Sequence, residues 1–184
     1  PIPDLGVGRL VESATDVSHM IDTYAPTSST DLTQLAPASA LVTGYDFLSD
    51  GATEIFDSLS GAVPGGSSES RIDETWTAAD ALGGLNAPGA GFLSVNAHYD
   101  HSCALPAAAF NGTSPDLLPA SQASPAAGSL AFTVGCHSGL NLAVGDASSA
   151  SDPRLGDWAE RMASQGTLYA ANTGFGYGDD AAVA

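Results

Sequence analysis

Ser129-Leu-Ala-Phe-Thr-Val-Gly-Cys136 decides how the rest of the chain is read. It is a short apolar run that opens into the small-residue turn His137-Ser-Gly139, the pattern of a buried strand with Cys136 at its C-terminal end. Open α/β sheets gather their functional groups at that end of the strands. A second run, Phe92-Leu-Ser-Val-Asn-Ala-His98, ends the same way on a histidine. A thiol attacks a carbonyl only as thiolate, which needs a nearby base, so a strand-end His98 and a strand-end Cys136 are the chemical minimum for a cysteine nucleophile.

Outward from these two strands the pattern alternates. Gly6 to Val11 reads as a strand or extended entry, and Glu12 to Tyr24 as a helix with Val17, Met20, Ile21 and Tyr24 at helical spacing. Ala25 to Thr30 is loop, Ala38 to Gly44 a strand, and Asp50 to Leu59 a helix with Asp50 near its N-cap. Pro64 to Ser68 breaks the pattern, and Asp73 to Leu82 reads as the next helix. After Cys136, Asp157 to Gln165 is a helix ended by Gly166, and Thr167 to Asn172 a further strand. Such alternation predicts an α/β fold, a mostly parallel sheet flanked by helices on both faces, in one domain spanning residues 1–184. Between the two decisive strands, the Pro- and Ala-rich insertion Pro106 to Gly128 is expected to be a mobile surface loop bordering the cleft.

Charge narrows the partners. The chain of 184 residues has a formal net charge of -17, from 21 acidic residues against four arginines and no lysine. Such a field repels nucleic acid and anionic membranes and draws cationic peptides. No stretch has the roughly 20 apolar residues of a membrane helix. Because the chain starts at Pro1 and stops after Asp179-Asp-Ala-Ala-Val-Ala184, it is expected to be a fragment of a longer precursor, whose remainder is a candidate partner. The acidity suits a cationic substrate, high-salt surroundings, or an acidic or extracellular milieu, and a secreted or extracellular location is the expectation. Cys103 and Cys136 permit one disulfide, but a nucleophilic Cys136 is expected to be a thiol.

Asn96-Ala-His98, Val134-Gly-Cys-His-Ser-Gly-Leu-Asn141, Asp157-Trp-Ala and Asn172-Thr-Gly-Phe-Gly-Tyr-Gly-Asp179, together with Leu10-Val-Glu12 and Val42-Thr-Gly-Tyr-Asp-Phe47, resemble the gingipain-like cysteine peptidases of the caspase-hemoglobinase superfamily. The resemblance runs over nearly the whole chain, and its most specific part is the ordered pair His98 and Cys136. It implies a His/Cys dyad, endopeptidase activity through an acyl-enzyme, and no required cofactor. The oxyanion hole would be made by the backbone N–H groups of Tyr99 and Cys136. Family members commonly have Gly after the histidine, so the Tyr99 side chain is expected to narrow that hole. Asp100 is either the group that orients the imidazole or a solvated loop carboxylate. Asp46, just past the strand ending at Gly44, is either the acid that selects Arg or Lys at the cleaved bond or an ordinary loop carboxylate.

Two other readings stand beside this one. His98, His101, Cys103, Cys136 and His137 supply five nitrogen and sulfur donors where zinc needs four, although the spacing is not that of a zinc finger. A noncatalytic binding module on the same fold is the third. The acidic stretches Asp146 to Asp152 and Asp179-Asp180 carry oxygen donors for calcium but lack EF-hand spacing. Cys136-His-Ser-Gly139 departs from a serine nucleophile elbow because Cys136 stands where glycine is expected.

Overall fold

A computed structural model describes residues 13–25, 37–63, 65–142 and 156–176. The entry strand expected at Gly6 to Val11, most of the loop Ala25 to Thr30, the acidic stretches Asp146 to Asp152 and Asp179-Asp180, and Tyr177-Gly-Asp179 lie outside the described residues.

Helix α1 (Ala14–Tyr24) begins at Ser13, whose hydroxyl accepts from the Asp16 N–H while the Asp16 carboxylate reaches back to the Ser13 backbone, a closed capping box. Strand β1 (Ser39–Gly44), helix α2 (Ser49–Gly61), strand β2 (Ser67–Ile72), helix α3 (Ala78–Leu85) and strand β3 (Gly91–Val95) follow. Beyond them come β4 (His98–Tyr99), β5 (Cys103–Leu105), α4 (Ala107–Phe110), β6 (Leu118–Pro119), β7 (Leu130–Phe132), α5 (Trp158–Ser164) and β8 (Leu168–Ala170).

Five strands form one sheet in the order β2-β1-β3-β7-β8, and every neighbouring pair is parallel. This is the expected α/β fold. β1 is buried from Ala40 to Gly44, as a central parallel strand must be, since helices cover it on both sides. A methyl built on Gly44 comes within 2.9 Å of Ala52 in α2, whereas Gly84 in α3 lies under Leu41, with 2.8 Å between the equivalent positions. Leu41 and Gly44 are three residues apart and project to opposite faces, so α2 and α3 lie on opposite sides of the sheet. α5 joins the side of α3: its Trp158 and Met162 enter the cluster that holds Leu41, Leu85 and Leu93.

Three expectations are corrected. β2 occupies residues read partly as a break, because Ser-Ser-Glu-Ser-Arg-Ile is polar, as an exposed sheet edge tolerates. The helix expected from Asp73 starts at Ala78, since the Asp73 carboxylate closes a turn by accepting from the Thr75 N–H and hydroxyl, and Thr77 then caps α3. The insertion Pro106 to Gly128 is packed, not loose. Ala107, Leu118, Ala120 and Ala123 are fully buried, and β5 and β6 join β4 in a second, antiparallel sheet of three strands. Its alanines were read as loop because they carry no periodic large apolar residues, yet their small size lets the backbone approach the core closely.

Candidate active site

The site is set by strand register. Phe92 opposes Leu130, and Ser94 opposes Phe132 across the β3–β7 pair. Four residues beyond that last pair stand His98 and Cys136. The link continues past the end of β7, where the Thr133 hydroxyl donates to the Val95 carbonyl at 2.7 Å and accepts from the Gly135 N–H at 3.1 Å.

On the β3 side, Asn96 ties the strand end to β1: its backbone N–H donates to the Thr43 hydroxyl and its amide to the Thr43 carbonyl and the Ser94 hydroxyl. His98 is exposed, but its backbone is held from beneath. Its N–H donates to the Tyr45 hydroxyl at 2.9 Å, and that hydroxyl donates to the Leu105 carbonyl at 2.5 Å. Burial pushes the fully buried Tyr45 phenol up to about 12, against the opposing effect of the His98 N–H, so it stays protonated and able to donate. The His98 ring lies among the rings of Tyr45, Phe47 and Phe110, with centroids at 5.4, 6.1 and 5.1 Å.

Tyr99 turns the other way. Its hydroxyl donates to the Val95 carbonyl at 3.1 Å and its ring meets Trp158 edge-on at 5.6 Å. Burial drives its pKa well above the usual tyrosine range. The ring lies on the backbone of Gly135, whereas His98 takes the outward position, since successive side chains in β4 alternate.

Cys136 is half-buried, while Cys103 is buried within β5, and no disulfide joins them. The turn after Cys136 is tight. His137 has φ of +55°, a left-handed conformation that non-glycine residues adopt at a cost. The Ser138 hydroxyl donates back to the Gly135 carbonyl at 2.7 Å. A segment following β8 runs alongside: the His137 N–H donates to Gly174, the Gly139 N–H to Asn172, the Asn172 amide to Val134, and the Cys136 thiol to the Gly176 carbonyl at 3.6 Å. Only glycine fits at position 176, since a methyl there would overlap the Val134 carbonyl oxygen. Past the turn, the buried Asp157 carboxylate accepts from the Asn141 amide and the Leu142 N–H, and also caps α5 through the Glu160 N–H.

The remaining candidates separate. The Asp100 carboxylate is directed into the β4–β5 turn, where one oxygen accepts from the Ser102 N–H and hydroxyl and from the Cys103 N–H. Burial alone would raise its pKa, but these bonds outweigh it and hold the carboxyl below the usual range. It braces the hairpin, and among the described residues it makes no hydrogen bond to the His98 ring. Asp46 does stand at the C-terminal end of β1, on the sheet edge shared with His98, but it is exposed rather than at the floor of a pocket. Among the described residues no three His, Cys, Asp or Glu side chains are grouped to hold a metal ion, so the donors His98, His101, Cys103, Cys136 and His137 are not assembled into a cluster.

Sequence reading did not single out Tyr45 and Phe47, which lay inside a quoted stretch, or Phe110, hidden in the insertion. Glu74 was missed as well: its carboxylate accepts from the Asp46 N–H at 2.7 Å and from the Asn111 amide. None of these has a motif that marks it: Tyr45, Phe47 and Phe110 meet the His98 ring from separate segments, and Glu74 bonds the neighbours of two of them. Comparison with protein-family models, curated proteins and solved structures finds no match to this chain.

Proposed function

We propose that this chain is a cysteine endopeptidase of the gingipain-like kind, acting through Cys136 and His98. The observation that supports the reading is the parallel register of β3 and β7, whose last paired residues, Ser94 and Phe132, are each followed four residues later by His98 and by Cys136. The strained turn at His137 is a second support, since backbone strain collects at functional sites. In this reading the Cys136 thiolate attacks the scissile carbonyl carbon, the N–H groups of Tyr99 and Cys136 face the developing oxyanion, and His98 protonates the leaving amine. Water then hydrolyses the thioester, with His98 taking its proton. No cofactor enters the steps. The substrate is a protein or peptide, not nucleic acid or membrane, and the remainder of a precursor is a candidate for it. The acidic field favours cationic peptides, and Asp46 is the proposed source of a preference for Arg or Lys at the cleaved bond. A secreted location belongs to the same proposal.

A panel of internally quenched peptides, varied on both sides of the scissile bond, tests it. Wild type should cleave members of the panel, and Cys136→Ala and His98→Ala should each lose on the order of 1,000-fold in kcat/KM. Equal turnover by wild type and Cys136→Ala, or none by either together with no labelling of Cys136 by a thiol-directed covalent peptide, would assign the fold to binding instead.

A further inference from the structure

We infer that Phe47 and Phe110 form, with the His98 ring, a stacking shelf that takes an aromatic or large apolar side chain of the bound peptide; this rests on the proposed peptidase reading and adds a specificity determinant to it. Both phenylalanines are unusually open for their type, Phe47 at 43% and Phe110 at 45% exposure. Their centroids are 6.5 Å apart at an interplanar angle of 55°, and each faces His98. The floor is Tyr45, fully buried and stacked on Phe47, Phe110 and Trp76 at 5.3, 5.1 and 6.1 Å.

The shelf is braced rather than incidental. Phe47 follows Asp46 and Phe110 precedes Asn111, and Glu74 accepts hydrogen bonds from both of those neighbours, so one carboxylate ties together the 3-10 turn that carries Phe47 and the end of α4 that carries Phe110. The Trp76 indole N–H donates to the Gly44 carbonyl, which anchors the floor to the end of β1. Ring carbon therefore lines the surface beside the imidazole. Open aromatic faces at 5 to 7 Å spacing suit edge or offset stacking of another ring, worth about 1 kcal/mol beyond burial, or about fivefold in binding. Such a surface beside the group that hands over the proton would select the substrate by a side chain close to the scissile bond.

Two measurements on the full chain test the shelf. In the peptide panel, one of the two positions flanking the scissile bond should favour Phe or Tyr over Ala by about tenfold, and Phe47→Ala and Phe110→Ala should each remove that preference. Independently of turnover, N-acetyltyrosinamide added to Cys136→Ala protein should shift the His98 ring resonances saturably, N-acetylalaninamide should not, and the shift should vanish in Phe47→Ala and shrink only partly in Phe110→Leu, which keeps apolar bulk. No wild-type preference for ring side chains, a preference unchanged in both Phe variants, or no His98 shift with the tyrosine amide overturns the shelf. Absence of cleavage with a saturable His98 shift would instead sink the peptidase reading and leave the shelf standing.

Discussion

The ring of Tyr99 lies directly on the backbone of Gly135: a methyl group added at Gly135 would come within 2.2 Å of the Tyr99 ring. One residue past His98 therefore touches one residue before Cys136. The two halves of the candidate site are locked together through the core rather than through the exposed side chains themselves.

Gly135→Ala should therefore be costly. The Tyr99 ring is held by Val95 and Trp158 and cannot swing aside freely, so overpacking should destabilise the protein by about 1 to 3 kcal/mol. Denaturant unfolding reads the loss, and peptide turnover should fall with it. A neutral Gly135→Ala would mean that the two segments are not in contact.

Tyr45→Phe keeps the stacked ring and removes one oxygen. That oxygen bridges the His98 N–H and the Leu105 carbonyl, and leaving two partly buried groups unpaired should cost about 2 kcal/mol. Amide exchange at His98 should accelerate more than at residues of β1, which distinguishes loss of this bridge from general loosening.

Asp100 should behave as a turn residue. Asp100→Asn keeps the acceptor oxygen and should leave turnover within about twofold, whereas Asp100→Ala should lose about 1 kcal/mol of stability. Its carboxyl is depressed below the usual 3.8, so its contribution is present above that pH and is lost as pH falls through the lower folded value. Acid unfolding curves of wild type and Asp100→Asn should accordingly converge at low pH. A shift in the alkaline or neutral limb of a pH–rate profile with Asp100→Asn would show instead that it acts on His98.

The two thiols should differ in reach. Cys136 is half-buried beside Gly176, while Cys103 lies inside β5 opposite Pro119, so iodoacetamide should modify Cys136 first under native conditions. Mass spectrometry of the labelled peptides separates them. Equal labelling would indicate that the β4-β5-β6 sheet opens readily.

The sequence by itself determined the alternation of helices with core strands and the mostly parallel sheet, because those features rest on local periodicity and on turn residues such as Asp157 and Gly166; it ran the two decisive strands on to His98 and Cys136, whereas β3 ends at Val95, β7 ends at Phe132 and His98 opens β4 of the second sheet. Edge strand β2 escaped it, since a polar edge carries no apolar pattern. Tertiary structure alone decided that the alanine-rich insertion is core, as small residues announce neither loop nor packing until their neighbours are known. It also decided the directions of side chains at the site. Tyr99 went into the core while His98 stayed out, Asp100 was taken by its own hairpin, and Phe47 and Phe110 met around the imidazole from elements more than sixty residues apart in sequence. Spacing along a chain sets which face a residue occupies, but contacts between distant elements depend on how the sheet and its insertion close on one another.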